Sequence, residues 1–268
     1  MFQPLPDDIA RALVSTGDRL GAFAGRVSWC DEIGSTNDMA LRLAAEGAGE
    51  GRVVVAGAQR SGRGRHGRAW ASPPGAGVYA SVLLRPESRA LPLLTLASGI
   101  AVAEGIQAAS GLDAAVKWPN DICVTAPAGG LRKLAGILTE AAVSRDEAPH
   151  AVVGFGINVG LAAYPAEVAA RATSIELELG RPIDRGLVLA ECLAALWRRY
   201  QDLQHARVGP VLDAWRQRAQ STLGRRVEWD GADGVRSGVA VAVDDNGALL
   251  VRSASGESRV ISGEVRWL

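Results

Sequence analysis

Gln59-Arg60-Ser61-Gly62-Arg63-Gly64-Arg65-His66-Gly67-Arg68-Ala69-Trp70 is the stretch whose reading decides the fold class. Gly62, Gly64 and Gly67 fit the G-x-G-x-x-G spacing of a dinucleotide-binding turn, a motif that holds its meaning only between a strand and an apolar helix. Here Trp70 and the pair Pro73-Pro74 stand where that helix belongs, so a Rossmann-type reading fails its context. The composition suits no regular element either, because repeated glycines weaken a helix and leave a strand with nothing to pack. Four guanidiniums, on Arg60, Arg63, Arg65 and Arg68, repel one another unless an anion sits among them. The stretch is either a mobile loop that orders around a phosphate or another anion, or a solvated basic loop or nucleic-acid patch.

Outward from the loop, the chain alternates short strands and helices. Val53-Val54-Val55 makes 52–58 a buried strand feeding the loop, and 78–84 is a strand leaving it. Upstream, 7–14 is expected to be a short helix and 27–32 a strand, with Ser35 or Thr36 capping a helix to about Ala45. Downstream, Leu93, Leu96, Ala97, Ile100 and Ala103 recur at helical spacing, predicting a core helix over 92–109 capped by Gly111. Strands are expected at 115–118, 122–124, 131–142 and 151–157, with a flexible turn at 125–130 and a charged one around Asp146. Long helices follow at 185–207 and 210–220. Neighbouring strands are joined by turns too short for crossovers, which predicts a mixed, largely antiparallel α+β sheet. From about Leu223 the composition turns Gly-, Val- and Asp-rich. Strands at 226–229, 235–243, 248–252 and 258–261, with an Asp245-Asn246-Gly247 turn, suggest a small SH3-like barrel. The expected division is 1–222 and 223–268.

The 268 residues carry 29 Lys+Arg against 29 Asp+Glu, and that balance argues against a protein whose whole surface binds nucleic acid. The loop arginines are therefore a local concentration. Cys30, Cys123 and Cys192 are odd in number and form no CxxC, which suggests reduced, buried thiols in a cytoplasmic protein. No signal segment or run of about 18 apolar residues is visible, so no membrane association is expected.

Lys117-Trp118-Pro119-Asn120-Asp121 puts a cation, an amide and a carboxylate where proline cuts a strand short, either lining a cleft or forming a sheet edge and an Asx turn. Arg132-Lys133 opens an apolar strand, at a pocket rim or as a solvated edge charge, and Glu140 further along either faces solvent or pairs with a base. Gly154 and Gly156 thin a strand enough for a flat ligand or another backbone to approach, or else mark a bulge. Ser35, Thr36 and Asn37 offer hydrogen-bonding groups at a helix start, where capping alone accounts for one of them.

Taken in order, GSTN (34–37), QRSGRGRHGRAW (59–70), KWPND (117–121), RKLAGIL (132–138), GFGINV (154–159) and ISGEV (261–265) resemble the biotin protein ligases, from about residue 27 onward. The resemblance implies a mixed-sheet catalytic domain followed by an SH3-like domain. It implies ATP-dependent activation of biotin to biotinyl-5′-AMP, with Mg²⁺ accompanying the phosphates. Biotin then passes to one lysine of a biotin carboxyl-carrier protein of a biotin-dependent carboxylase. By resemblance, Ser35, Thr36, Asn37 and Gln59 contact biotin. Arg63, Gly64 and Arg65 close over biotin and the adenylate phosphate, and Trp70 helps order that loop. Lys133 lies by the biotin carboxylate and α-phosphate with Lys117 assisting. Asn120 and Asp121 shape the adenylate site, Asp121 being a candidate base, and Asn158 with the segment to about residue 173 covers the adenine. Lys133, Lys117 and Arg65 are the expected catalytic groups.

Some members carry an N-terminal helix-turn-helix domain and repress transcription. Only about 25 residues precede the first strand here, so the expectation is a monofunctional ligase without DNA binding. The 125–130 turn is longer than the family pattern. Two rivals stand beside this reading: a lipoate- or octanoyl-transferring relative, and a non-catalytic biotin sensor or nucleic-acid-binding protein. Exposed edge strands leave pairing in a homodimer, or with the carrier, open.

Overall fold

The computed structural model describes residues 2–126, 129–142, 149–231, 234–261 and 265–268. The turn expected around Asp146, part of the 125–130 turn and residues 262–264 of ISGEV lie outside the described residues. In chain order the elements are α1 (Asp7–Ser15), β1 (Val27–Ile33), α2 (Thr36–Ala45), β2 (Val53–Gln59), β3 (Gly77–Leu84), α3 (Leu91–Ser110), β4 (Ala115–Lys117), β5 (Asp121–Thr125), β6 (Leu131–Ala142) and β7 (His150–Asn158). They continue with α4 (Ile175–Leu179), α5 (Arg185–Gln204), α6 (Val208–Arg218), β8 (Arg226–Gly231), β9 (Gly234–Val243), β10 (Leu249–Ser253), β11 (Gly256–Val260) and β12 (Val265–Trp267).

Seven strands form one sheet in the order β1-β2-β3-β7-β6-β5-β4. β1 and β2 run parallel, joined through α2, and the other neighbouring pairs are antiparallel, which is the mixed sheet expected from the short connections. Strand alternation sorts the core. Val54, Leu83 and Val152 turn to one face and pack with Ala40 and Ala44 of α2. Val53, Val55, Val82, Leu84 and Val153 turn to the other, toward α3 and α5. Cover on both faces explains why every residue of β3 is buried.

α3 reaches the length and hydropathy of a membrane span, unlike the sequence expectation, but most of it is buried in the protein core. It lies directly on α5: a Cβ on Gly105 would sit 2.4 Å from Cys192 Cα and 2.5 Å from its backbone nitrogen. Neither atom can swing away, so Gly105→Ala must push the helices apart. We expect it to cost about 1–3 kcal/mol, the range for an overpacked core, read as a lowered urea midpoint with unchanged slope.

The helix expected over 185–207 stops at Gln204. Ala206 takes a left-handed φ of 56°, and Asp202 accepts the Arg207 guanidinium Nε at 3.0 Å. α6 then starts at Val208 and places Pro210 in its first turn, where a missing N–H costs nothing. α4 and β12 were not anticipated. Five antiparallel strands ordered β11-β10-β9-β8-β12 make a second sheet. In the turn before β10, Asp244 Oδ1 accepts the Asn246 and Ala248 amides at 2.9 Å each. This sheet is anchored to the first where Trp118 Nε1 donates to the Gly247 carbonyl at 2.9 Å, and Thr222 Oγ1 to the Val116 carbonyl at 3.1 Å.

Candidate active site

The arginine stretch closes on itself as a small hairpin. Arg63 and Ala69 bridge, the Gly64 amide donates to the Arg68 carbonyl at 2.7 Å, and the Trp70 amide donates to the Gly62 carbonyl at 2.9 Å. Gly62 is required by close approach, since a Cβ there would stand 2.4 Å from the Trp70 carbonyl oxygen. His66, at the tip, has a φ of 55°, a conformation histidine tolerates better than most residues. The hairpin overhangs a cavity of about 410 Å³, within the usual range for small-molecule sites.

The cavity brings together residues far apart in the chain: Ser35, Thr36 and Asn37 from the start of α2, Gln59 from β2, and Arg63, Gly64, Arg65 and Trp70 from the hairpin. Lys117, Asn120 and Asp121 enter from the β4–β5 turn and Lys133 from β6. Gly136 and Gly154 to Gly156 supply part of its lining. β7 keeps unbroken register with both neighbours, so its glycines mark no bulge. They make room for side chains: a Cβ on Gly154 would stand 1.9 Å from Asn37 Oδ1, and one on Gly156 2.3 Å from Trp70 Nε1.

At one end a polar network is fixed in place. Ser35 caps α2, accepting from the Asp38 amide. Gln59 Oε1 accepts from the Thr36 amide at 2.8 Å and the Thr36 hydroxyl at 3.1 Å, while Gln59 Nε2 donates to Ser72 Oγ at 2.8 Å. Ser81 Oγ, fully buried, lies 2.8 Å from Thr36 Oγ1 and 2.5 Å from Asn37 Oδ1.

The other end is cationic. Lys133 Nζ pairs with Asp121 at 2.6 Å and lies 5.3 Å from the centre of the Trp70 ring. Lys117 Nζ sits over Trp267, 5.9 Å from its centre. Arg65 is half-buried, and burial lowers its pKa although Asp121 opposes the shift. Among the described residues its side chain makes one hydrogen bond, a long 3.4 Å contact to Asn120 Oδ1. Among the described residues, neither Arg65 nor Lys117 has an ion-pair partner. Arg63 differs: it pairs with Asp38 at 2.5 Å and Glu140 at 2.6 Å, and the Asp38 hydrogen bond raises its pKa. Arg60 turns away to Glu32 at 2.6 Å. Trp70 Nε1 is buried against Gly156 without an acceptor among the described residues.

Asn158 does not line this cavity. Its Nδ2 donates to the Thr173 carbonyl at 2.9 Å, and Thr173 in turn donates its amide to the Lys133 carbonyl at 2.9 Å. Sequence reasoning missed Val265, Arg266 and Trp267 of β12, which close the cavity from the second sheet; Val265 ends ISGEV, a motif that was given no site role, and the other two follow it. It also missed Ser81, whose signal was a lone serine in an apolar strand.

Residues 29–158 match the Biotin/lipoate A/B protein ligase family, and residues 222–266 match the Biotin protein ligase C terminal domain. The Biotin--[acetyl-CoA-carboxylase] ligase of Paracoccus denitrificans is 35% identical over 240 residues, covering 86% of this chain and 96% of that protein. The Bifunctional ligase/repressor BirA of Bacillus spizizenii is 33% identical over 264 residues, 97% of this chain and 79% of that protein. This chain belongs to the biotin protein ligases. The biotin protein ligase from Aquifex aeolicus in complex with biotin and ATP has the same fold, with a TM-score of 0.77 at 28% identity over 91% of this chain and 99% of that one. In this ligase residues of the polar network and of the cationic end face one cavity.

Proposed function

We propose that this cavity is where the ligase joins biotin to ATP, and that the motif residues divide the work as follows. Thr36, Asn37 and Gln59, held in place by Ser35, Ser72 and Ser81, fix the ureido ring. Lys133 and Lys117 receive the biotin carboxylate and the α-phosphate. Arg63, Gly64 and Arg65 fold over both. Asn120 and Asp121 hold Arg65 and Lys133 in position, and Asn158 acts at one remove by tying residue 173 against Lys133. The observation that carries the reading is electrostatic. A half-buried guanidinium and a lysine, neither ion-paired among the described residues, face one cavity, and an anion offsets their desolvation.

Activation of biotin needs such a surface. A carboxylate oxygen attacks the α-phosphorus and diphosphate leaves, so two anions must approach while charge spreads over the phosphoryl oxygens. Lys133, Lys117 and Arg65 screen that repulsion and stabilise the developing charge without forming a covalent bond. In the second step the acceptor lysine of the carrier attacks the acyl carbon and AMP departs. Mg²⁺ fits as the ATP complex, held by phosphate oxygens, since the described residues offer no cluster of three acidic, His or Cys side chains for it. The acceptor we propose is a biotin carboxyl-carrier domain. Three unpaired, buried thiols suit a reducing compartment, and we place the protein in the cytoplasm. We also propose the division near residue 222, where the chain passes from the first sheet's helices to the second sheet.

Incubation with biotin, ATP, Mg²⁺ and hydroxylamine tests the reading. The expected products are biotin hydroxamate and AMP, formed only when biotin is present. Equal turnover with lipoate or octanoate would favour the lipoyl-transfer alternative, and no acyl-dependent AMP would leave a binding protein.

A further inference from the structure

Glu140, on β6, lies behind the cavity and lines no part of it. Its Oε2 accepts from Asn37 Nδ2 at 2.9 Å, and its Oε1 accepts from Arg63 Nη2 at 2.6 Å. One carboxylate thus joins the start of α2 to the arginine hairpin, across 103 and 77 residues of chain. Asn37 is 4% exposed, and its amide has two distinguishable ends. A carboxylate can only accept, so it must face the NH₂ group. From the opposite side Ser81 Oγ is 2.5 Å from Oδ1, which can only accept, so the hydroxyl proton points there. Turned over, the amide would set Oδ1 against the Glu140 carboxylate. Among the described residues the remaining Asn37 N–H has only a stretched 3.5 Å contact to the Leu138 carbonyl, which a ligand carbonyl can replace.

We propose that Glu140 is a positioning residue for biotin: it fixes which end of the Asn37 amide meets the ligand and tethers Arg63 at the cavity mouth. The inference rests on the reading of this cavity as the biotin site. It assigns Glu140 no contact with biotin and no part in bond making. The residue acts through Asn37 on the head of the ligand and, together with Asp38, through Arg63 on the hairpin, so one side chain couples biotin recognition to hairpin position.

Glu140→Gln in the full chain tests this. The substitution keeps the size but leaves one neutral acceptor where Asn37 and Arg63 both donate, so the amide sets its NH₂ against one of them. Biotin Kd by calorimetry is expected to rise roughly tenfold, the loss of one charge-assisted hydrogen bond. The loss should concentrate in KM for biotin rather than in kcat, and Kd for ATP measured without biotin should hold. In an Asn37→Ala background the same change should have a clearly smaller effect, because the amide it orients is gone. Glu140→Asp, which keeps the charge on a shorter arm, should recover part of the affinity. An unchanged biotin Kd in Glu140→Gln overturns the proposal, as does an equal loss for biotin and ATP with a lowered Tm, the mark of a purely structural role. Failure of the underlying reading looks different: Asn37→Ala and Lys133→Ala would then leave biotin binding and adenylation untouched in the parent protein, and the proposal would fall with it.

Discussion

Lys133→Ala is expected to slow formation of the adenylate by roughly 10²–10³-fold, the range found when one preorganised charge-stabilising group is removed. The size follows from what the substitution leaves behind. Lys133 Nζ holds Asp121 at 2.6 Å, at the rim where the cavity also receives Lys117. Without the lysine, Asp121 loses its ion-pair partner and keeps only the longer-range pull of Arg65, and on the proposed reading it lies beside two anionic reactants, so the site loses an attraction and gains a repulsion. Asp121→Asn added to Lys133→Ala should therefore recover part of the rate, although alone it is the milder change. The fold should tolerate all three, because the pair is partly exposed, with side-chain exposures of 36% and 22%, and such pairs contribute little to stability. Rapid-quench measurement of biotin-dependent diphosphate release checks the prediction. A Lys133→Ala rate within threefold of the parent would remove Lys133 from the chemistry, and an unrescued double variant would refute the charge argument.

Much of this site was legible because it is local in sequence. Ser35 or Thr36 was visible as a cap, a position that Ser35 fills, Val53-Val54-Val55 as a buried strand, and the glycine-arginine stretch as something neither helix nor strand would accept. The mixed sheet followed from connections too short for crossovers. What stayed hidden depends on pairings between distant residues. Glu140 had two open readings, solvent or a base, until β6 laid it beside Asn37 and Arg63. β12 joins the cavity only because Trp118 and Thr222 hold the second sheet against the first. Asn158 shares strand parity with Gly154 and Gly156, yet it sits one step further along β7, where the Thr173 carbonyl captures it. The end of α5 was missed for a local reason of a different kind: no propensity rule places an alanine at positive φ, and the interactions of Asp202 with the backbone and side chain of Arg207 accompany the break.

Arg65→Gly is expected to leave a folded enzyme that makes the adenylate and fails to keep it, with the half-life of the enzyme-held intermediate falling about 10–100-fold, the equivalent of a lost charge-assisted contact. The ligand-free protein gives Arg65 little reason to be where it is. Its pKa is lowered by burial, and the one side-chain hydrogen bond it makes among the described residues, to Asn120, is long. Deleting it relieves a desolvation cost in the free state, so Tm should change little. On the proposed reading the same guanidinium faces the adenylate phosphate, so its loss should unlatch the hairpin tip while Arg63 and Ala69 still close the base. Water then reaches a mixed anhydride that hydrolyses readily, and lysines of unrelated proteins intercept what escapes. Gel filtration of the enzyme with labelled biotinyl-AMP, and biotin transfer to serum albumin, measure the two consequences; retention equal to the parent's would sink the idea. Arg65→Ala separates charge from chain flexibility. If the latch is electrostatic, alanine leaks as fast as glycine. If only glycine leaks, the hairpin backbone holds the intermediate and Arg65 merely stiffens it.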